Sequence, residues 1–134
     1  MSRKPNLLTI SWALLIMILC GIPGRDLPHM SFLELLSFDK WVHAGVFFVL
    51  TLLAVRGFRL QKKIIGLKNH AVLIALLLCI SYGGILEILQ GTIFEDRGAD
   101  IYDFIANSFG CILAVLLYRK FSKWFPAFNF PLHV

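Results

Sequence analysis

Four apolar stretches of similar length divide this chain. They cover residues 7 to 22, 41 to 55, 71 to 89 and 101 to 118. A bilayer core about 30 Å thick needs about 20 helical residues, so each stretch is near spanning length. The second is short and needs the flanking Lys40 and Arg56 to extend their charged ends to the interface. The chain is also 58% hydrophobic, against roughly 45–50% in soluble domains, which excludes a water-soluble fold of this size.

The apolar stretches predict helices. None of them alternates polar and apolar residues, as the strands of a transmembrane barrel do. Helices satisfy their own backbone hydrogen bonds in lipid, where no water is present to do so. We therefore predict an all-α fold, a transmembrane four-helix bundle that forms one domain over residues 1 to 134.

The distribution of charge predicts the orientation. Ten of the 13 lysines and arginines lie near the two ends of the chain or in the 56 to 68 loop. The other loops hold only Arg25, Lys40 and Arg97, so the positive-inside rule predicts a multi-pass protein of the cell membrane with both termini in the cytoplasm. All eight acidic residues lie on the outer side or in helix ends that face it. The net charge of +5 therefore reflects topology and contact with anionic headgroups, and does not indicate nucleic-acid binding.

Three segments need separate interpretations. Residues 27 to 38 predict a short interfacial helix or re-entrant turn between the first two spans, which would cover the outer ends of the helices. Residues 121 to 134 are rich in aromatic residues and predict an anchor at headgroup level. Residues 1 to 24 also fit a cleaved signal peptide, but the small-residue cleavage motif is absent. Cys20, Cys79 and Cys111 lie within apolar stretches and predict neither disulfides nor a metal site.

Polar side chains gather at the predicted outer helix ends. Spacings of three and four put the members from each helix on one face, and an ionisable group within a span needs a partner or a function. The group comprises Asp39, Lys40 and His43 on the second helix, Glu87 and Gln90 on the third, Arg97 in the loop, and Asp100, Asp103 and Asn107 on the fourth. We expect these side chains to share one pocket that faces the outer leaflet. The alternative is internal neutralisation, in which Lys40 pairs with Glu87 or Asp103, Arg97 with Asp100 and His43 with Asp39, and the charges only fix helix register.

The same residues resemble the signature of the VanZ-like family of small bacterial membrane proteins. The resemblance spans residues 39 to 110. It rests on Asp39-Lys40-x-x-His43, Glu87-x-x-Gln90 and Arg97-x-x-Asp100-x-x-Asp103-x-x-x-Asn107-x-x-Gly110. Glu95 and Asp96 precede Arg97, where the family usually has a proline. The resemblance implies a cell-envelope role, since the namesake is associated with resistance to the glycopeptide teicoplanin, an antibiotic that acts on cell-wall precursors outside the membrane.

Two functional hypotheses follow. In the first, the pocket recognises or modifies a polar lipid or a lipid-linked envelope precursor. Glu87 or Asp103 would then be the general acid or base and His43 a proton shuttle oriented by Asp39, while Lys40 and Arg97 bind phosphate. Gln90, Asp100 and Asn107 would complete the binding surface. In the second, the chain is a non-catalytic scaffold or partner-binding module. A transporter ranks third, because broken helices and paired repeats are absent from the sequence.

No cofactor or metal is expected, although one histidine with several carboxylates could hold a hard cation such as magnesium or calcium. Zinc sites usually have several nitrogen or sulfur ligands, and His43 is the only such ligand beside the carboxylates. The sequence also has no phosphate-binding glycine loop and no nucleophilic triad. The expected partners are therefore membrane lipids or a lipid-linked precursor.

Overall fold

The computed structural model describes residues 4–22, 32–93 and 98–124, with side chains for 4–22, 40–93 and 98–124. Within these ranges the chain is helical and has no strand. The helices are α1 (Leu7–Cys20), α2 (Phe32–Leu60), α3 (Ile65–Asn69), α4 (Ala71–Thr92) and α5 (Ile101–Trp124). The prediction of an all-α fold is therefore confirmed for the described residues.

Three helices are long enough and apolar enough to cross a membrane. They are Lys40–Leu60, which is the larger part of α2, and the whole of α4 and α5. The helix of the first apolar stretch, α1, has 14 residues and is about 21 Å long, less than the thickness of a bilayer core. Large aliphatic side chains on all four of these helices are exposed, for example Ile18 at 66%, Ile88 at 65% and Leu116 at 71%. Such surfaces are suited to contact with lipid tails.

The structure corrects the prediction for the segment before the second span. We expected a separate interfacial helix within residues 27 to 38, but residues 32 to 38 form the first turns of α2 and continue into the span without a break. Periodicity cannot separate these parts, because Glu34 and Ser37 are spaced as the exposed face of one long helix would be. Residues 27 to 31 lie outside the described ranges.

The other boundaries also differ from the predictions. The second span extends beyond residue 55 to Leu60. The loop after it contains the five-residue helix α3, which was not predicted. The α5 helix continues to Trp124, six residues beyond the predicted end of the fourth span, and so includes the first part of the aromatic tail. The rest of the predicted anchor, residues 125 to 134, lies outside the described ranges.

The α2 helix is central and contacts each of the other four helices. Its most extensive contact is with α5, and α4 packs against both. The core between them consists of aliphatic, aromatic and small side chains, among them Ile16, Phe47, Leu50, Val55, Leu86, Cys111 and Ala114. Small residues matter here because lipid tails are as apolar as the core, so that close packing contributes to helix association where the hydrophobic effect does not.

Hydrogen bonds from polar side-chain ends attach α1 to its neighbours. Thr9 Oγ1 donates to the Leu53 carbonyl at 2.9 Å, and Trp12 Nε1 donates to the Val46 carbonyl at 2.9 Å. From α4, the Tyr82 hydroxyl donates to the carbonyl of Ala13 at 2.5 Å. Each bond satisfies a side-chain donor that would have no hydrogen-bond partner in lipid. The short α1 is thus held by side-chain to backbone bonds as well as by packing.

Contacts at the two ends of the helices show how they run. Asn6, just before α1, lies against Gly57 near the end of α2, so these two helices are antiparallel. At the same end, the Arg59 guanidinium lies 4.9 Å from the ring centre of Tyr118, a cation–π contact between the final turns of α2 and α5. The start of α2, the end of α4 and the start of α5 therefore meet at the opposite end. Basic residues mark one end of the protein, and carboxylates mark the other.

Candidate functional site: a polar cluster at one end of the helices

Six polar side chains from α2, α4 and the start of α5 lie together at this second end. We call them the polar cluster: Lys40, His43, Glu87, Asp100, Asp103 and Asn107. Lys40 and His43 are one turn apart on α2, and Asp103 and Asn107 are one turn apart on α5, so that each pair faces the neighbouring helices. His43, Glu87, Asp103 and Asn107 are buried. The expected gathering of these six residues is what the structure shows.

Lys40 connects two carboxylates of the α5 segment. Its Nζ donates to Asp100 Oδ2 at 2.9 Å and also to Asp103 Oδ1. The Lys40 side chain is 26% exposed and that of Asp103 only 9%. The ammonium is thus at the edge of the cluster, where it faces both the buried carboxylate and the outside.

His43 is oriented by Asn107. The two side chains are joined by a hydrogen bond of 2.9 Å between His43 Nδ1 and Asn107 Oδ1. An amide oxygen can only accept, so Nδ1 carries the proton. The other ring nitrogen, Nε2, lies 3.7 Å from Asp103 Oδ2. We predicted Asp39 as the orienting residue, but its side chain is not among those described, and the described partner of Nδ1 is an amide.

Glu87 and Asp100 shape the turn into α5. The backbone N–H of Asp100 donates to Glu87 Oε2 at 3.1 Å, which ties the start of α5 to α4. Asp100 Oδ1 accepts from the N–H of Tyr102 at 2.8 Å, the hydrogen bond of a helix N-cap. Asp103 lies in the first turn of α5, where the helix dipole favours a negative charge. The carboxylates therefore have structural partners as well as a shared location.

The remaining predicted site residues are Gln90, Asp39 and Arg97. Gln90 is buried, but its described hydrogen bond runs from Nε2 to the Cys20 carbonyl at 3.4 Å, so it joins α4 to the end of α1. Asp39 belongs to α2 by its backbone, and its side chain is not described. Arg97 lies outside the described ranges. The binding roles assigned to these three residues stay predictions.

Three members of the polar cluster have possible ligand atoms that lie close together. One ligand atom each from His43, Glu87 and Asp103 lies within 4.8 Å of the others, and all three residues are buried. An imidazole between two carboxylates can pass a proton or hold a cation.

Two cavities adjoin the cluster. The first, of about 100 Å³, lies between α1 and α2 and reaches His43; its lining is Ile16, Leu19, Cys20, Val42, His43, Val46 and Phe47. The second is a groove of about 590 Å³ on the outer face of α2 and α5. It is lined by Lys40, Trp41, Ala44, Tyr102, Ile105, Ala106 and Phe109. The groove is apolar except at its Lys40 end.

Close helix packing positions the cluster. At Gly110 a Cβ atom would overlap the carbonyl oxygen of Ala44, so α2 and α5 touch backbone to backbone at the residue next to His43. At Gly83 a Cβ would lie 3.2 Å from Phe47 and 3.3 Å from Asn107. The sequence did not identify Ala44 and Phe47 as the residues that these glycines contact. Phe47 lies on the same face of α2 as His43, at a spacing of four, and this is the signal that was available.

The fold and the cluster together define a small helical protein with spanning-length apolar helices and a buried charged network at one end. The chain belongs to the VanZ/LLP1 family, whose model matches residues 5–124. This confirms the family resemblance seen in the motifs between residues 39 and 110.

A yeast protein is related to this chain. Uncharacterized protein C11E3.10 of the fission yeast Schizosaccharomyces pombe is 34% identical over 85 residues, which cover 63% of this chain and 49% of the relative. The chain thus matches about half the length of this curated relative. Because the relative is fungal, the bacterial setting implied by the resemblance stays a prediction. No solved structure matches.

Proposed function

We propose that this protein binds, and acts on, a membrane lipid that carries a phosphate headgroup. The observation that carries the proposal is the outer groove between α2 and α5. It is apolar along its length and ends at Lys40, the ammonium at the edge of the polar cluster. A lipid offers the matching chemistry, with an acyl chain for the groove and an anionic group for the ammonium.

The residue roles follow from this placement. Lys40, with Arg97, binds the phosphate, and Asp100 holds the Lys40 ammonium in place. If the lipid is modified, Glu87 or Asp103 serves as general acid or base. His43, fixed by Asn107 and 3.7 Å from Asp103, passes the proton. The geometry supports proton transfer because His43 Nε2 and Asp103 Oδ2 face one another in a buried setting, where a proton bound to either can pass to the other.

The proposal includes a topology. Four helices, α1, α2, α4 and α5, cross the bilayer as one domain, with α1 lengthened by the residues beside it. Both termini and the basic 56 to 68 loop lie in the cytoplasm, and the polar cluster lies at the outer leaflet. The antiparallel run of α1 and α2 supports this arrangement, since it brings the basic segments to one end.

Reporter fusions test the orientation. Green fluorescent protein fused after Lys68 or after Lys123 is expected to fluoresce, since both sites would be cytoplasmic. Alkaline phosphatase fused after Gly98 is expected to be active, since that loop would be external. The reverse pattern at Lys68 and Gly98 would show the opposite orientation, and cytoplasmic signals at all three sites would remove the four-span topology.

Lipid titration tests the binding site. The protein in dodecyl maltoside is mixed with dioleoyl phosphatidic acid or with dioleoylglycerol, which has the same chains and no phosphate. Phosphatidic acid is expected to raise the thermal midpoint at about a tenth of the diacylglycerol concentration or less, because only its headgroup reaches Lys40. Ala106→Phe fills the groove and is expected to abolish most of this difference.

A matched variant controls for the added ring. Ile112→Phe lies on the exposed side of the same helix, outside the lining of the groove, and is expected to behave like the wild type. Equal responses to the two lipids, or an unchanged response in a folded Ala106→Phe variant, would exclude this groove as the binding site.

For modification, lipid and cell-wall precursor profiles are compared between cells with the wild type, cells without the protein and cells with Glu87→Gln or Asp103→Asn.

A structural role is the second candidate, and a specific observation favours it. Lys40 is bound to both Asp100 and Asp103, so part of the polar cluster neutralises itself and joins α2 to α5. A scaffold or partner-binding module would need no more than this. Teicoplanin resistance, implied by the family resemblance alone, stays a prediction that growth with and without the gene tests directly.

A further inference from the structure

We propose that His43, Glu87 and Asp103 form a binding site for one divalent transition-metal ion, Zn²⁺ or Mn²⁺. The three residues come from three different helices, α2, α4 and α5, and are all buried. Their candidate ligand atoms lie within 4.8 Å of one another. This inference goes beyond the proposed function, and it holds or fails without reference to any lipid.

The protonation of His43 favours a metal ligand. Since Nδ1 donates its hydrogen to Asn107 Oδ1, the neutral ring carries a lone pair on Nε2. That lone pair faces the carboxylate oxygen Asp103 Oδ2 at 3.7 Å. Two electron-rich atoms face each other there, an arrangement that a cation between them stabilises. A histidine that binds metal through one nitrogen and donates from the other to an oxygen is the usual arrangement in metal sites.

The distances are close to those of a coordination sphere. Two ligands about 2.1 Å from a tetrahedral metal lie about 3.4 Å apart. The separation of His43 Nε2 and Asp103 Oδ2 exceeds this by a few tenths of an ångström. Glu87 contributes the third candidate atom, which lies within 4.8 Å of the other two. Its Oε2 already accepts from the Asp100 N–H, a bond that fixes the orientation of the carboxylate.

The buried carboxylates also favour a cation. Glu87 and Asp103 are both buried, and each contributes a candidate ligand atom. Two ionised carboxylates close together in a buried place repel each other, and a cation bound between them offsets that repulsion.

The mixed ligand set selects the type of metal. Imidazole suits zinc and other transition metals, whereas carboxylates also suit manganese. Magnesium and calcium prefer all-oxygen sites, and calcium takes six to eight ligands. Three protein ligands leave positions on the metal for water. The site would thus be of the open type, with a position for a further ligand.

Metal titration of the purified protein tests the proposal. Protein stripped with EDTA in dodecyl maltoside is dialysed against Zn²⁺ or Mn²⁺ in the presence of excess Mg²⁺ and Ca²⁺, and bound metal is counted by mass spectrometry. One ion per chain is expected. His43→Gln and Asp103→Asn are each expected to weaken binding at least about tenfold. His70→Gln, an exposed histidine at the far end, is expected to have no effect.

A spectroscopic measurement covers the case in which the site variants do not fold. In a variant with His29, His70 and His133 replaced by glutamine, Mn²⁺ is expected to show pulsed-EPR coupling to an imidazole nitrogen, which only His43 can then supply. Failure of the wild type to bind either metal overturns the proposal, as does wild-type affinity in a folded His43→Gln variant. Absence of imidazole coupling also overturns it. None of these results bears on the phosphatidic acid titration, so the two proposals fail separately.

Discussion

Gly110→Ala is expected to lower the free energy of unfolding by about 2 kcal/mol or more, although it adds a single methyl group. In most helix positions this change favours the helix by about 1 kcal/mol. At Gly110, however, the new Cβ would overlap the carbonyl oxygen of Ala44 and lie 2.9 Å from its carbonyl carbon. A backbone atom cannot rotate away as a side chain can. The α2 and α5 helices would therefore have to separate along their most extensive contact.

The measurement is the thermal or SDS-induced unfolding midpoint in detergent, with Gly45→Ala as the control. Gly45 is adjacent to Ala44 on the same helix, and a Cβ there would meet nothing within 4 Å. The control is expected to leave stability unchanged or to raise it slightly. If Gly110→Ala matched Gly45→Ala, the backbone contact between α2 and α5 would not exist in the folded protein.

The variant also tests whether the fold positions the polar cluster. His43 lies one residue before Ala44, and Asn107 lies three residues before Gly110, so the contact point and the His43 to Asn107 bond share one crossing. Separating the helices there would lengthen that bond. Metal and lipid responses are thus expected to weaken together with stability in Gly110→Ala, and to persist in Gly45→Ala.

Much of this architecture was predictable from the sequence, because few backbone structures are stable in a bilayer. The apolar runs near 41 to 55, 71 to 89 and 101 to 118 correspond to the three long helices, since helices alone satisfy their backbone in lipid. The polar cluster was predictable for a related reason. Groups such as Glu87 and Asp103 are too costly in lipid to face outward, so their spacing on helix ends indicates where they meet.

Other features were not predictable, because they depend on distances that no pattern encodes. The uninterrupted α2 is one, since residues 32 to 38 are amphipathic enough for a surface helix and regular enough for the start of a long one. Gln90 is another. Its spacing from Glu87 puts both on one face of α4, yet its described hydrogen bond reaches Cys20 on α1. A helix face touches more than one neighbour, and the sequence does not tell which.

The bond between His43 and Asn107 has the same origin. It joins side chains of two helices near the point where Gly110 meets Ala44, and no spacing within one helix indicates it. The orienting role of Asp39 stays a prediction, since its side chain is not among those described. A zinc site had little support from the sequence, because it offered one nitrogen ligand beside several carboxylates. Three helices contribute one candidate ligand each, and only packing brings those residues together.

Lys40→Met is expected to cost about 3 kcal/mol of stability, because it removes the ammonium from Asp103, whose side chain is only 9% exposed. Asp103→Asn removes the other charge of the pair while keeping the shape of the side chain. The double variant is expected to lose less than the sum of the two single losses, by at least about 1 kcal/mol, since neither charge then lacks its partner. Lys120→Met, an exposed position near the end of α5, controls for the loss of a lysine.

The same set of proteins, the wild type with the two single variants and the double variant, also separates the two candidate functions. For this purpose the phosphatidic acid response is measured beside stability. A lipid site requires that folded Asp103→Asn and the double variant lose the response, because Lys40 and its partner carboxylate form the headgroup end of the groove. A purely structural cluster requires the response to be absent in the wild type or to survive in the double variant. If the two single losses of stability simply add in the double variant, both the lipid-site and the structural interpretation are contradicted. Each of them requires a Lys40 to Asp103 bond that joins α2 to α5, and such a bond makes the effects of the two substitutions depend on each other.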